Sequence, residues 1–361
     1  MSSALIRSSS EYNEKLASVS SRIAKFPGSR YMGSKLAILP FIYSNLVNLE
    51  FDSAFDAFSG SGAVSYLLKA MEKRVSSNDF LRFAYHTANA IVANDVETLS
   101  PDEAKGIVAE NSSAGTFVQD TFRDLYFSDD ENQLLDSAVA NIRVMDSAAK
   151  QSLAFAALSY ACLRRRPRGL FTYVGRRYDD GRRDLRMGLE QHFVAAVELF
   201  NDAVHSNGML NSAYNEDVFG LSLQDPPDLV YIDPPYVSPL SDNDYIRRYH
   251  FVEGLVRYWE GLEVQEATVT KKFRRFPSPF DSKVTVFDGF ARLFDRYRDS
   301  ILAVSYSSNG IPSRDELVDL LKAYKRNVVV HEEGHRYSFG THGHRVGSNR
   351  NQVVEYLFIA E

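Results

Sequence analysis

Apolar positions along the 361-residue chain follow two rhythms. Short apolar runs bounded by turn residues predict strands, and stretches with apolar positions three and four apart predict helices. Ser53 to Phe58 predicts a strand, Ser59 to Gly62 a glycine-containing turn and Ala63 to Lys73 a helix. Arg74 to Ser77 predicts a second strand, ending in Asn78 and Asp79. Together these form a βαβ unit that opens a parallel sheet. From about Asp95 to Asn207 the spacing turns helical, as in KQSLAFAALSYACL, interrupted by the loop RRRPRGLFTYVGRRYDDGRRD. The alternating pattern returns with GMLNSAYNEDVF and the buried-strand run LVYI, Leu229 to Ile232. Helices follow in YHFVEGLVRYWEGL and around Phe287 to Tyr297, then a strand in SILAVSY. RNVVVHEEG and NQVVEYLFIA predict a terminal hairpin. The fold class is α/β, with residues 26–95 and 208–361 building the sheet and 96–207 inserted as a helical domain. Residues 1–25, Ser-rich and weakly periodic, predict a flexible N-terminal arm or one loosely docked helix.

Composition narrows the class without naming it. An apolar content of 44% supports a real core. The N-terminus lacks the apolar core of a signal peptide, and no run approaches the roughly 18 apolar residues of a membrane span, so a soluble, cytoplasmic protein is expected. Cys162 is the single cysteine, which excludes an intrachain disulfide framework and a cysteine-rich zinc site. The net charge of -6 argues against a protein that coats nucleic acid, yet the positive charge is concentrated. Arg164, Arg165, Arg166, Arg168, Arg176, Arg177, Arg182, Arg183 and Arg186 crowd one segment, interleaved with Phe171, Tyr173, Tyr178 and the turn residues Gly169, Gly175 and Gly181. That mixture suits phosphate clamping and major-groove guanine contacts. Lys271, Lys272, Arg274 and Arg275 form a second basic cluster, placed to grip the other side of a duplex.

Three motifs carry the chemistry. In FSGSG, Gly60 and Gly62 let the backbone approach a nucleotide-like ligand above a helix N-terminus. Asp79 ends the next strand, where α/β proteins set an acid against ribose hydroxyls. In DPPY the paired prolines stiffen the chain past a buried strand and remove two N–H donors, leaving carbonyls free to accept. The Asp233 carboxylate and the Pro234 carbonyl form an acceptor pair for an amino group, Pro235 fixes the turn, and Tyr236 offers a flat face. A pocket for an aminated planar base results. HEEGH, His331 to His335, matches a zinc-protease pattern that requires a helix; here it follows NVVV and contains Gly334, so a strand end and loop are expected and no metal site is assigned.

RYMGSKLAILPFI, FDAFSGSG and YIDPPYVSPLSDNDY, in that order, resemble the DNA adenine methylase family of S-adenosylmethionine-dependent amino-methyltransferases. YNEDVF, RYHFVEGL, VSYSSNG and NQVVEYLFIA extend the resemblance from about Arg30 to the C-terminus outside the insertion. It implies a Rossmann-like class I methyltransferase sheet, an inserted target-recognition domain, S-adenosyl-L-methionine as cofactor and double-stranded DNA as substrate. Tyr31 and Lys35 would hold the cofactor's amino-acid end or the target base, and Phe58, Gly60 and Gly62 would line the methionine moiety. Asp79 would take the ribose, Asp217 the adenine edge and Phe219 the adenine ring, with Asp233 to Tyr236 as the catalytic motif. Ala57 stands where many relatives carry proline, a change that removes no donor or charge. The same motif serves any exocyclic amine, so a cytosine-N4 or RNA base methyltransferase is the alternative within this chemistry, and an inactive DNA-binding regulator the alternative outside it. A cognate restriction endonuclease is the expected partner of a restriction-modification enzyme; a solitary role is equally compatible with these residues.

Overall fold

A computed structural model of the chain describes residues 9–175, 181, 183–237, 245–274, 276–336 and 352–361. Seven strands form one sheet: β1 (Ser53–Asp56), β2 (Arg74–Asn78), β3 (Ser212–Tyr214), β4 (Leu229–Ile232), β5 (Ile301–Ser307), β6 (Val328–Arg336) and β7 (Gln352–Ala360). Their spatial order is β3-β2-β1-β4-β5-β7-β6. The first five run parallel, and β7 is antiparallel to both β5 and β6. β1 ends at Asp56, two residues before the expected limit, because Ala57 and Phe58 already enter the turn.

The chain runs outward from β1 through β2 to β3, then returns to place β4 on the other flank of β1. That reversal makes β1/β4 the topological switch point, and the crevice beyond the C-terminal ends of such strands is where doubly wound sheets bind ligands. The turn carrying Gly60 and the turn carrying Asp233 therefore emerge side by side, although 173 residues separate them in sequence.

Helices in chain order are α1 (Ser9–Ile23), α2 (Leu39–Leu46), α3 (Ala63–Ala70), α4 (Arg82–Ala88), α5 (Pro101–Val108) and α6 (Phe117–Thr121). They continue as α7 (Asp129–Arg143), α8 (Ala148–Arg165), α9 (Leu189–Ala203), α10 (Tyr245–Arg257), α11 (Val286–Arg296) and α12 (Arg314–Lys322). β1 and β4 are buried throughout, since successive side chains point to opposite faces and both faces are covered. Ala54, Leu229 and Tyr231 join one core with α2, α3 and α10, and Phe55, Val230 and Ile232 join another with α11 and α12. The helices of residues 96–207 add their apolar faces to the first of these cores, led by α8, buried from Ser152 to Ser159. The arm expected over residues 1–25 is, from Ser9 onward, the helix α1 docked against α3, with Val19 buried. HEEGH lies within β6, where residues four apart stand about 13 Å from one another, too far to share one metal ion. No helix among the described residues is long and apolar enough to cross a membrane.

Candidate active site

A cleft opens over the tips of β1, β2 and β4, lined by Tyr31, Lys35, Phe58, Gly60, Asp79, Asp217, Phe219, Asp233 and Pro235, all expected from the sequence. The turn after β1 is shaped by hydrogen bonds from Ser59 N to Asn78 O (2.8 Å) and from Gly62 N to Ser59 O (2.7 Å). Gly60 has φ +51°, which strains any other residue, and a Cβ there would also crowd the Tyr31 ring at 3.2 Å. Gly62, at φ +78°, precedes the first residue of α3 and does not line the cleft; its role is to start the helix. Asp79 joins the two strand tips: its Oδ2 accepts from Gly60 N and its Oδ1 from Leu81 N, both at 2.8 Å. Burial pushes its carboxyl up to about 6 against those two hydrogen bonds.

Asp233 directly follows β4, with its side chain only 14% exposed. Its Oδ1 receives both the Lys35 ammonium (2.9 Å) and the Tyr236 hydroxyl (2.9 Å), and Lys35 Nζ also donates to the Tyr236 oxygen at 2.6 Å. Burial raises the Asp233 carboxyl, and the adjacent Lys35 charge works against that rise. With Oδ1 engaged twice, Oδ2 is the oxygen left to accept from a substrate amine. Pro234 is buried beneath the turn, and the Tyr236 ring packs at 4.7 Å against Tyr306 on β5 rather than lining the cleft. Tyr236 thus presents its hydroxyl, and not its ring face, to Asp233.

Several site residues were not singled out by the sequence motifs. Asp56 lines the cleft with Oδ2 accepting from Ser65 Oγ (2.6 Å) and Oδ1 buried without a well-formed hydrogen bond; burial pushes its carboxyl up to about 7 against the Ser65 hydroxyl and the Phe58 N–H. Tyr249 and Tyr245 of α10 build an aromatic wall with Tyr31, whose ring stacks on Tyr249 at 5.0 Å. The Tyr249 hydroxyl accepts from Met32 N at 2.6 Å, which fixes the lysine-bearing segment to α10. Only Asp56 could have been found in advance, as an acid at a strand tip; the tyrosines follow from how α10 lies on the sheet.

The donor set suits a zwitterionic, nucleoside-bearing ligand. The Asp56 and Asp79 carboxyls are acceptors for an ammonium or hydroxyls, and Phe58, Phe80 and Phe219 supply rings to the same cleft.

Comparison with known proteins decides the class. Residues 31–317 match the family of D12 class N6 adenine-specific DNA methyltransferases. The chain belongs to that family. It is similar to the type II methyltransferase M2.HphI of Haemophilus parahaemolyticus, 29% identical over 351 residues, covering 93% of this chain and 98% of the relative. The modification methylase StsI of Streptococcus sanguinis is 25% identical over 91% of this chain, which spans 51% of StsI. The type II methyltransferase M.CviAII of Paramecium bursaria Chlorella virus 1 is 24% identical over 91% of this chain and 97% of its own length. Family membership selects adenine in DNA over cytosine or RNA, and an enzyme over a regulator.

In this methyltransferase the arginine-rich segment divides. Arg166 is buried, its guanidinium donating to the carbonyls of Tyr126, Leu170, Tyr173 and Gly175, with the Tyr173 ring 4.9 Å away. It is inaccessible to DNA, contrary to the expectation from composition. Arg165 pairs with Glu131 at 2.8 Å, and Arg164 lies 3.8 Å from Asp184. Arg168 and Arg183 are exposed. Lys271 is bonded to Glu266, Lys272 is half-buried, and Arg274 is exposed, 3.8 Å from Glu263. Arg176, Arg177, Arg182 and Arg275 lie outside the described residues.

Proposed function

We propose that this enzyme transfers a methyl group from S-adenosyl-L-methionine to the N6 amine of an adenine turned out of duplex DNA, and that it serves as the modification half of a restriction-modification pair in the cytoplasm. The observation that carries the reading is the Asp233 carboxylate held on one oxygen by Lys35 and Tyr236, beside a glycine turn and Asp79. S-adenosyl-L-methionine supplies an electrophilic methyl on a sulfonium, so direct transfer needs alignment and no covalent enzyme intermediate.

Asp56 Oδ1 would receive the cofactor's ammonium, Asp79 its ribose hydroxyls, and Asp217, exposed at the rim, its adenine edge. An aromatic amine is a weak nucleophile because its lone pair is delocalised. Asp233 Oδ2 and the Pro234 carbonyl would accept the two amine hydrogens, favour a pyramidal nitrogen and hold the departing proton. The base leaves the duplex to reach this cleft, at an unstacking cost of about a few kcal/mol that contacts with the aromatic wall offset in part. Arg168, Arg183 and Arg274 are exposed and suit phosphate contacts. The relatives named as type II methyltransferases support the restriction-modification role.

The test is transfer from labelled S-adenosylmethionine to unmethylated duplex DNA, followed by nucleoside analysis. Label in N6-methyladenine that Asp233→Ala abolishes is the expected result. Label in another base, or none with cofactor bound, would overturn it.

A further inference from the structure

The cleft lining combines two chemistries, the charged groups of Lys35, Asp56, Asp79 and Asp233 and a set of phenylalanine rings in contact: Phe58 and Phe219 with Phe280, and Phe80 with Phe276. Part of that aromatic lining comes from the segment immediately after the second basic cluster, Phe276 to Asp281, whose every residue lines the cleft. Nothing in the sequence marks this segment as a binding element.

Its geometry is set before any ligand arrives. Pro277 and Pro279 fix their own backbone torsions, Ser278 Oγ accepts from Phe280 N (3.2 Å), and Asp281 Oδ2 accepts from Ser278 N (3.1 Å). Thr285 Oγ1 donates to Pro279 O at 2.7 Å. Phe280 is buried and meets Phe58 edge-on at 5.3 Å and Phe219 in parallel at 6.2 Å. Phe219 carries the Arg292 guanidinium over its ring at 3.9 Å. Phe80 is 42% exposed, an unusual position for phenylalanine, and Phe276 meets it at 5.1 Å with the rings 68° apart. Two rings in that relation form a corner, one face and one edge, into which a flat heterocycle fits.

We propose that Phe276 is a cofactor-binding residue that closes the purine end of the cleft against Phe80, backed by the Phe273 ring at 5.9 Å, while Phe280 lines the cleft beside Phe58 and Phe219. The inference rests on the reading that the cleft takes S-adenosylmethionine. It assigns the purine a wall from the chain beyond DPPY, continuous with the basic residues Lys271 to Arg274.

Calorimetric titration of the full-length protein with S-adenosylhomocysteine and with adenosine tests it. Phe276→Ala should weaken both ligands by a common factor of about tenfold, with the ligand-free melting temperature unchanged. Phe280→Leu, which keeps the core filled, should weaken them about threefold. Phe294→Leu changes a buried ring of the neighbouring core that neither lines the cleft nor meets Phe276, and affinity should stay within about twofold. If wild type binds and Phe276→Ala binds as well, or loses S-adenosylhomocysteine but not adenosine, the assignment of Phe276 is wrong while the cofactor reading stands. If wild type binds neither ligand, the cofactor reading itself fails.

Discussion

The strand-tip cleft and the arginine-rich segment look equally informative in the sequence, and the fold treats them differently. Gly60, Asp79 and Asp233 follow the C-terminal ends of three adjacent parallel strands, so sheet order alone brings them together. In the segment from Arg164 to Arg186 no such constraint acts, and the guanidinium groups divide by local packing. Arg166 turns inward and ties four carbonyls; Arg183 turns outward. A guanidinium carries five donors and a planar face, which serve as backbone scaffold as well as they serve a phosphate. Position at a strand tip therefore predicts use, whereas residue type in a loop predicts only capability.

The sharpest way to break the strand-tip half of this contrast is Asp233→Ala. Loss of the acceptor should reduce methyl transfer by at least about a thousandfold, while S-adenosylhomocysteine affinity changes little, because the proposed role of Asp233 is toward the amine. Retention of a tenth of the wild-type rate would remove Asp233 from the chemistry. The next largest effect belongs to the other region. Arg166→Ala leaves four carbonyls without their donor and should cost about 3 kcal/mol or more in stability, read by denaturant unfolding. A stable variant with weakened DNA binding would instead return Arg166 to the DNA surface.

Periodicity sufficed for the sheet because β1 and β4 are short, apolar and bounded by turn residues, and the terminal hairpin shows the same signature. The motif residues were legible because glycine at positive φ and proline after a strand tip have few other uses. Asp56 was hidden by its context, reading as one more residue of a strand end until its buried oxygen without a well-formed hydrogen bond is seen. Tyr245 and Tyr249 were hidden for a different reason: which face of α10 meets Tyr31 depends on packing against α4 and α8, beyond the reach of local pattern. Arg166 was misread because net charge says nothing of direction. The docking of α1 escaped because its apolar positions are few, and Val19 alone among its described residues is fully buried.

Acidity offers a finer probe of the cleft. Burial raises Asp56 to about 7 and Asp79 to about 6, both above the roughly 3.9 of an unfolded aspartate. The folded state then holds more protons than the unfolded state between those values, so each group costs stability as pH rises through that window. Binding runs the other way, since the ligand's ammonium and hydroxyls need carboxylates. Between about pH 8 and pH 5.5 the apo protein should become more stable while S-adenosylhomocysteine affinity falls, and Asp56→Asn should weaken binding about tenfold and flatten its pH profile. Parallel slopes in stability and affinity would exclude Asp56 and Asp79 as the titrating groups.

The smallest effect is the most discriminating for the basic segment. Arg183 is exposed, so Arg183→Ala should leave unfolding unchanged. If it meets a phosphate, duplex affinity should drop several-fold, alike for all sequences, and the slope of log affinity against log salt should shrink by about one. Arg166→Ala, assayed beside it where still folded, should shift stability first and lose DNA affinity only as the loop it braces loosens. Crossed results, with Arg183 governing stability or Arg166 the salt slope, would mean that exposure does not separate scaffold from contact in this segment. Uncrossed results would make burial the criterion for sorting its remaining arginines.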